Sequence, residues 1–309
     1  MDERPLSNCK YYAAPMVRYS KLVFRKLVRL YNVDCCFTPM IYAKEFLQSD
    51  VARNSEFTTD TDDHPLIVQF ASNDPVEFAA ATELVYKYSN GVDLNCGCPK
   101  GDVRARGYGS SLLTQPELLA DIVRQTRNRI SDDKFAISLK IRIQDPLERT
   151  VDLCRKAAAA GVNHLTAHAR YHWERMEAPH YETIAVIKDA VDVPIILNGG
   201  VKTLEEANRL LEETRCDGIM AANGLLNNPT LFSGEPVTTW ECVQKFISLS
   251  VDHGLTFHLF HQHLAMMLDN VLTPRQRTRF NETQTMSGVV DFLENAYNPV
   301  LPPLRVAPL

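Results

Sequence analysis

Apolar residues in this chain fall into two kinds of run, and the two alternate along most of its length. Short, nearly continuous apolar stretches occur at Tyr11–Met16, Cys35–Pro39, Leu66–Ala71, Gly91–Asn95, Phe135–Ile143, His164–His168, Pro194–Asn198 and Asp217–Ala222. A stretch such as Leu66-Ile67-Val68-Gln69-Phe70 is apolar at successive positions, which is how a strand buried on both faces reads. Between these runs lie longer amphipathic segments. Lys21–Tyr31 places Leu22, Val23, Leu27, Val28 and Leu30 near one face, and Glu117–Arg129 and Leu147–Ala160 behave similarly. Thr203, with Glu206 three residues on, reads as a helix-opening capping box.

Eight strand–helix units closing near residue 230 predict an α/β fold, a (β/α)8 TIM barrel. An open doubly wound sheet is the alternative. No GxGxxG follows the first strand, which weighs against a dinucleotide site of the Rossmann kind. The rhythm changes after Pro236. Thr239–Thr256, Phe257–Leu272 and Thr285–Ala296 read as helices with no strand between them. The expected organisation is a barrel over 1–235 and a small helical domain over 236–309. A proline-rich end (Pro299, Pro302, Pro303, Pro308) reads as a loose tail.

Composition narrows the class without naming a chemistry. The chain has 309 residues, 45% hydrophobic and 23% charged, with net charge -5, so an RNA site would have to be a local patch. No apolar run reaches the roughly 18 residues of a membrane span. Met1-Asp2-Glu3-Arg4-Pro5 lacks the apolar core of a signal peptide. The 8 cysteines form no CxxC pair and no zinc-finger spacing. The expectation is a cytoplasmic protein in a reduced compartment, monomeric, with no membrane and no metal partner. His258, His261 and His263 sit among Phe257, Leu259, Phe260 and Leu264. They read as core packing rather than as metal ligands.

Chemistry gathers at the strand ends, where a barrel keeps its active site. Those ends carry Pro15-Met16, Gln69, Asn95 with Cys98, Lys140 with Arg142, His168 and Asn198-Gly199-Gly200. The tract Asn95-Cys96-Gly97-Cys98-Pro99 is the most unusual: glycine allows a tight turn and proline ends the strand, leaving Cys98 on a loop. Gly199-Gly200 and Asn223-Gly224 follow the seventh and eighth strands, the usual phosphate site of such barrels. A phosphate grip with a lysine, a histidine and amides suits FMN or a phosphosugar, and the pattern alone does not choose.

Ala14-Pro15-Met16, Val68-Gln69, Asp93-Leu94-Asn95-Cys96-Gly97-Cys98-Pro99, Leu139-Lys140-Ile141-Arg142, Thr166-Ala167-His168-Ala169-Arg170, Asn198-Gly199-Gly200 and Gly224-Leu225-Leu226 before Asn228-Pro229 stand in one order and spacing. In this the chain resembles the tRNA dihydrouridine synthases, over about residues 11–235. Phe257–Leu264 and Arg53–Thr59 are similar to the eukaryotic type-4 branch. The resemblance implies FMN, NADPH or NADH as reductant, and reduction of the C5–C6 bond of a D-loop uridine in tRNA.

It assigns Cys98 the role of proton donor to C5, a role that needs a protonated thiol, unlike that of a nucleophilic cysteine. It places Pro15, Met16, Gln69, Lys140, His168, Asn198, Gly199, Gly200, Ala222 and Asn223 around the flavin. Asn95, Arg142 and Arg170 fall to the substrate side, with Asn95 bonding the uracil or orienting the loop. Lys100, Arg104 and Arg106, opposed only by Asp102, and Arg275, Arg277 and Arg279, with no acid before Glu282, become phosphate contacts.

Two departures stand out. Ala169 and Tyr171 replace the usual glycine and threonine after His168, and Asn223 stands where the family carries an arginine for the FMN phosphate. They keep two other readings open: an RNA-binding relative with impaired flavin binding, and an FMN barrel that reduces a free pyrimidine.

Overall fold

The computed structural model describes residues 6–297. The proline-rich tail and the first five residues lie outside the described residues. Among the described residues nine strands form one parallel sheet: β1 (Tyr11–Ala13), β2 (Cys35–Phe37), β3 (Ile41–Tyr42), β4 (Leu66–Ala71), β5 (Gly91–Cys96), β6 (Ala136–Ile143), β7 (His164–Tyr171), β8 (Ile195–Asn198) and β9 (Gly218–Ala221). β1 pairs with both β2 and β9, and β2 pairs with β4, so the sheet closes on itself. This is a (β/α)8 barrel, and the open-sheet alternative is excluded.

The strand beyond the expected eight, β3, is a continuation of β2. Cys36 and Phe37 pair with Leu66 and Ile67, and Ile41 and Tyr42 pair with Phe70 and Ala71. At the break between them, Thr38 Oγ1 accepts from the Gln69 N–H at 3.1 Å, so a side chain supplies one bond of the ladder. Pro15 and Met16 lie just past β1, and Met16 N donates to Ser20 Oγ at 2.9 Å to start the turn into the next helix. β7 runs three residues beyond the expected His168, and a register shift between Arg142 and Ile143 accommodates it.

Helices lie where the amphipathic segments predict them: Leu22–Arg29, Pro116–Arg129, Glu148–Ala160 and Leu204–Thr214. Thr203 caps the last of these by accepting from Glu206 N at 3.1 Å. The Glu206 carboxylate accepts from Lys202 N rather than Thr203 N, so the expected reciprocal box is only half made. Two short helices, Ala43–Gln48 and Asp50–Glu56, carried no legible signal.

The main core fills the barrel wall and the layer beneath its helices. A second core joins helices Trp240–Asp252, Phe257–Met267, Pro274–Asn281 and Met286–Tyr297. It also takes Val23 and Leu27 from the first barrel helix, whose Phe24 and Val28 belong to the main core. That helix is further pinned by Arg25, buried at 1% exposure, whose guanidinium meets Asp63 at 2.6 Å. His263 packs in the second core against Phe24, Tyr19 and Phe246, and burial drives its imidazole down to about 4. His261 bonds the Phe280 carbonyl. Both therefore serve packing.

Candidate active site

Strand register explains which side chains meet. Gln69, Asp93 and Ser138 are successive register partners, as are Asn95, Lys140 and Thr166, and Arg142, His168 and Asn198. In a closed barrel every second residue points inward, so these polar groups stack in layers toward the carboxyl end.

In the lowest layer Gln69 was expected, whereas Asp93 and Ser138 were not foreseen. Asp93 is fully buried, and its carboxylate accepts from Gln69 Nε2 at 2.8 Å and from Ser138 Oγ at 2.7 Å. Burial raises the carboxyl to about 7, against the Gln69 and Ser138 hydrogen bonds and the nearby Lys140 charge. From Asp93 a directional chain climbs to the cysteine loop. Gln69 Oε1 accepts from Asn95 Nδ2 at 2.9 Å. Asn95 Oδ1 accepts from Cys98 N at 2.9 Å and Gly97 N at 3.2 Å. Backbone N–H groups can only donate and a carboxylate can only accept, so both amides have their orientations fixed from the two ends. Asn95 thus orients the loop, and the Gln69 amide is engaged at both ends inside the barrel.

Cys98 is held on its other side as well, its carbonyl accepting from Ser110 N at 2.9 Å. Gly109, at φ +61, permits this approach: a Cβ there would stand 2.5 Å from the Cys98 oxygen. The Cys98 side chain lies against Ala71, Val103 and Tyr108. Of the eight cysteines, seven are buried and Cys98 alone is partly exposed. Cys96 is sealed in the wall, its thiol pushed well up by burial.

Above Asp93, Lys140 Nζ donates to Asn198 Oδ1 at 2.7 Å, and Asn198 Nδ2 donates to the Met220 carbonyl at 2.8 Å. Burial lowers the Lys140 ammonium to about 8, while Asp93 opposes that shift. His168 is held neutral by burial and then by Lys140, Arg142 and Arg170. Its Nε2 lies 3.1 Å from Arg170 Nη1. Thr166 Oγ1 is buried without a hydrogen-bond partner among the described residues. Gly199 adopts φ +127, and a Cβ there would come within 2.9 Å of the His168 ring. Gly200, at φ +80, faces Tyr181 and Pro179 in the same way. Asn223 is exposed and opens the short helix Asn223–Asn227 that follows β9.

Arg142 donates to the carbonyls of Tyr171 at 2.7 Å and Glu174 at 3.0 Å, so it braces the loop after β7. Two expectations about cations need correction. Arg106 is not opposed by Asp102 alone: it pairs with Glu45 at 2.7 Å and lies over the Tyr42 ring at 4.8 Å. Tyr42 ends β3 and Glu45, on helix Ala43–Gln48, stands 61 residues before Arg106, so sequence spacing does not reveal either partner. Arg277 has a nearby acid, Asp269, at 2.6 Å. Arg275 and Arg279 are four residues apart on helix Pro274–Asn281, share one face and are exposed. Lys100 and Arg104 are exposed beside the cysteine loop, where helix Gly101–Ala105 begins.

Comparison with known proteins agrees with this geometry. The dihydrouridine synthase (Dus) family model matches residues 12–289. An uncharacterised tRNA-dihydrouridine synthase-like protein of Caenorhabditis elegans is 57% identical over 91% of this chain and 99% of its own length. A tRNA-dihydrouridine(20a/20b) synthase [NAD(P)+]-like protein of Mus musculus is 48% identical over 92% of this chain and 88% of its own. Among solved structures, the old yellow enzyme from Trypanosoma cruzi shares the fold with a TM-score of 0.53 at 9% identity, over 86% of this chain and 95% of that one. A barrel whose strand ends carry this cysteine loop, lysine and histidine, matched along nearly its whole length, places the chain in the dihydrouridine synthase family.

Proposed function

We propose that this protein reduces D-loop uridines of tRNA to dihydrouridine, at positions 20a and 20b as in the name of its mouse relative. Residues 1–235 form the catalytic unit and 236–309 a helical tRNA-binding unit. The observation that carries the reading is the cysteine loop: a partly exposed cysteine just past the carboxyl end of β5, fixed at its N–H by Asn95 and at its carbonyl by Ser110.

FMN fits the residues present. The unpartnered, buried Thr166 hydroxyl stands beside Lys140, and the left-handed Gly199-Gly200 turn holds its backbone so close to His168 and Tyr181 that no side chain covers its N–H groups. Gly199, Gly200, Ala222 and Asn223 would take the phosphate end. Pro15, Met16, Gln69, Lys140, His168 and Asn198 would take the ring and ribityl portion. When bound, FMN reduced by NADPH or NADH supplies a hydride to C6 of the uracil.

The chain's own residues do the rest. Lys140 presents a positive charge where a reduced ring accumulates negative charge. His168, neutral, offers a hydrogen bond without competing for a proton. Cys98 Sγ holds the proton delivered to C5, on the face the loop dictates. Lys100 and Arg104 beside the cysteine loop, and Arg275 and Arg279 on the helical appendage, neutralise tRNA phosphates, contacts that supply affinity rather than sequence information. Arg142 and Arg170 brace the loop that borders the uracil.

Cys98→Ala tests the assignment. Nicotinamide oxidation by the flavin should persist while dihydrouridine formation falls about 10²–10⁴-fold, the usual worth of a general acid. Cys96→Ala should be far milder. Undiminished dihydrouridine formation by Cys98→Ala would remove the thiol from the mechanism.

A further inference from the structure

The loop after β7 carries a surface that the chemistry above leaves unused. Trp173 is 56% exposed and Met176 89%. Tyr171 lies flat beneath the indole, with ring centroids 4.8 Å apart and planes within 7°. His172 meets the same indole edge-on at 4.8 Å, and Tyr171 rests in turn against His180 at 4.9 Å. One face of the indole is thus covered by Tyr171, and half of the side chain remains in water.

This aromatic stack is built on a stiff support. The buried Glu174 carboxylate accepts from Tyr171 N at 2.8 Å and meets His180 Nε2 at 2.9 Å. Arg142 reaches from the barrel interior to two carbonyls of the loop, and Arg170 Nε donates to the Glu177 carbonyl at 2.6 Å. The Glu177 carboxylate accepts from Arg175 N and Met176 N, so both acids of the loop face backbone donors. A ring held this way loses little further freedom on binding.

Cations flank it. Arg175 and Arg104 are exposed. Burial, then Arg104, then Arg142 press the His172 imidazole toward its neutral form, which sets Arg104 of the cysteine-loop helix near the same loop. An exposed π-face with guanidinium groups beside it matches unpaired nucleic acid: bases stack on the ring, and phosphates meet the cations. A uridine drawn into the barrel also leaves neighbouring bases without their stacking partner.

We propose that Trp173, backed by Tyr171, is a stacking platform for an unpaired tRNA base next to the uridine that enters the barrel. The proposal rests on the tRNA reading above and adds a specific contact to it.

Titration of the FMN-loaded protein with tRNA, followed by tryptophan fluorescence and by direct binding, tests it. There are two tryptophans, Trp173 and Trp240, so the quenching present in wild type and missing from Trp173→Phe reports Trp173 alone. We expect that difference to be large. We expect Trp173→Ala to weaken tRNA binding roughly 5- to 150-fold, the range for one lost base–aromatic stack, and Trp173→Phe to stay within a few-fold of wild type. Equal quenching in wild type and Trp173→Phe, or equal affinity of wild type and Trp173→Ala, overturns the platform; both comparisons use a side chain already in solvent. Wild type that reduces tRNA while the alanine variant binds it equally well refutes only the platform. Wild type that binds no tRNA refutes the functional reading with it.

Discussion

Asp93→Asn isolates the electrostatics of the barrel floor. The substitution keeps the shape of the side chain. The asparagine oxygen can accept from Gln69 Nε2, and its amide can face Ser138 Oγ, whose hydroxyl turns to the Val92 carbonyl 3.3 Å away. The chain through Gln69 and Asn95 to the Cys98 N–H therefore survives, and what disappears is a buried charge. Folding raises the Asp93 carboxyl from 3.8 to about 7. Between those values the folded protein binds more protons than the unfolded chain, so this group costs stability as pH rises through the window, and the loss persists above it. A shift of about three units corresponds to about 4 kcal/mol. Part of it is already lost at pH 5, which leaves about 2–3 kcal/mol between pH 5 and pH 8. Asparagine has no such titration. The variant should therefore gain about 2–3 kcal/mol on wild type between those two pH values, measured by urea denaturation of matched samples. Lys140 acts in the same direction. Without the facing carboxylate its ammonium falls further below about 8, so any activity limb governed by Lys140 should move to lower pH. A stability difference that is flat from pH 5 to pH 8 would refute the buried-carboxylate account.

Three other substitutions probe the rest of the site. Gly199→Ala forces a side chain into φ +127 and against His168 at 2.9 Å. It should cost about 1–3 kcal/mol in stability or FMN affinity, read by melting and by flavin titration of apo-protein. Asn223→Arg should tighten FMN binding by about 1–3 kcal/mol, the worth of a hydrogen bond to a charged group; unchanged affinity in the same titration would mean another group already meets the phosphate. Arg275→Ala with Arg279→Ala should weaken tRNA binding and flatten its dependence on salt by roughly 0.7–0.9 per lost phosphate contact. Arg277→Ala should do so less, because that guanidinium is shared with Asp269; binding isotherms at several salt concentrations compare them.

Legibility differed between wall and interior. All eight barrel strands stood out because buried parallel strands are continuous apolar runs, but the end of β7 was misjudged, since no glycine or proline marks it. The same continuity hid Asp93. Read every second residue, Asp93 and Asn95 on β5, and Ser138, Lys140 and Arg142 on β6, form polar rows that can only face inward. The break at Thr38 was invisible because a side-chain oxygen replaces a ladder bond without changing the hydrophobic pattern. Pairings such as Arg106 with Glu45 and Arg277 with Asp269 join residues from separate turns, and local sequence carries no record of them. The Cys98 loop was legible as chemistry. Its second anchor, Ser110, depends on Gly109 and on a helical turn that composition does not mark.

The first barrel helix, Leu22–Arg29, turns one side to each core. Cutting the chain near residue 236 would strip Val23 and Leu27 of their cover and leave an oily scar on the barrel. The helical appendage and the barrel accordingly share a beam, and neither can swing independently of the other. The span from the arginines of Pro274–Asn281 to Cys98 is then a fixed length, a caliper in the molecule. With tRNA phosphates held by those arginines as proposed above, such a caliper would select a nucleotide by its distance from them, whatever bases lie between.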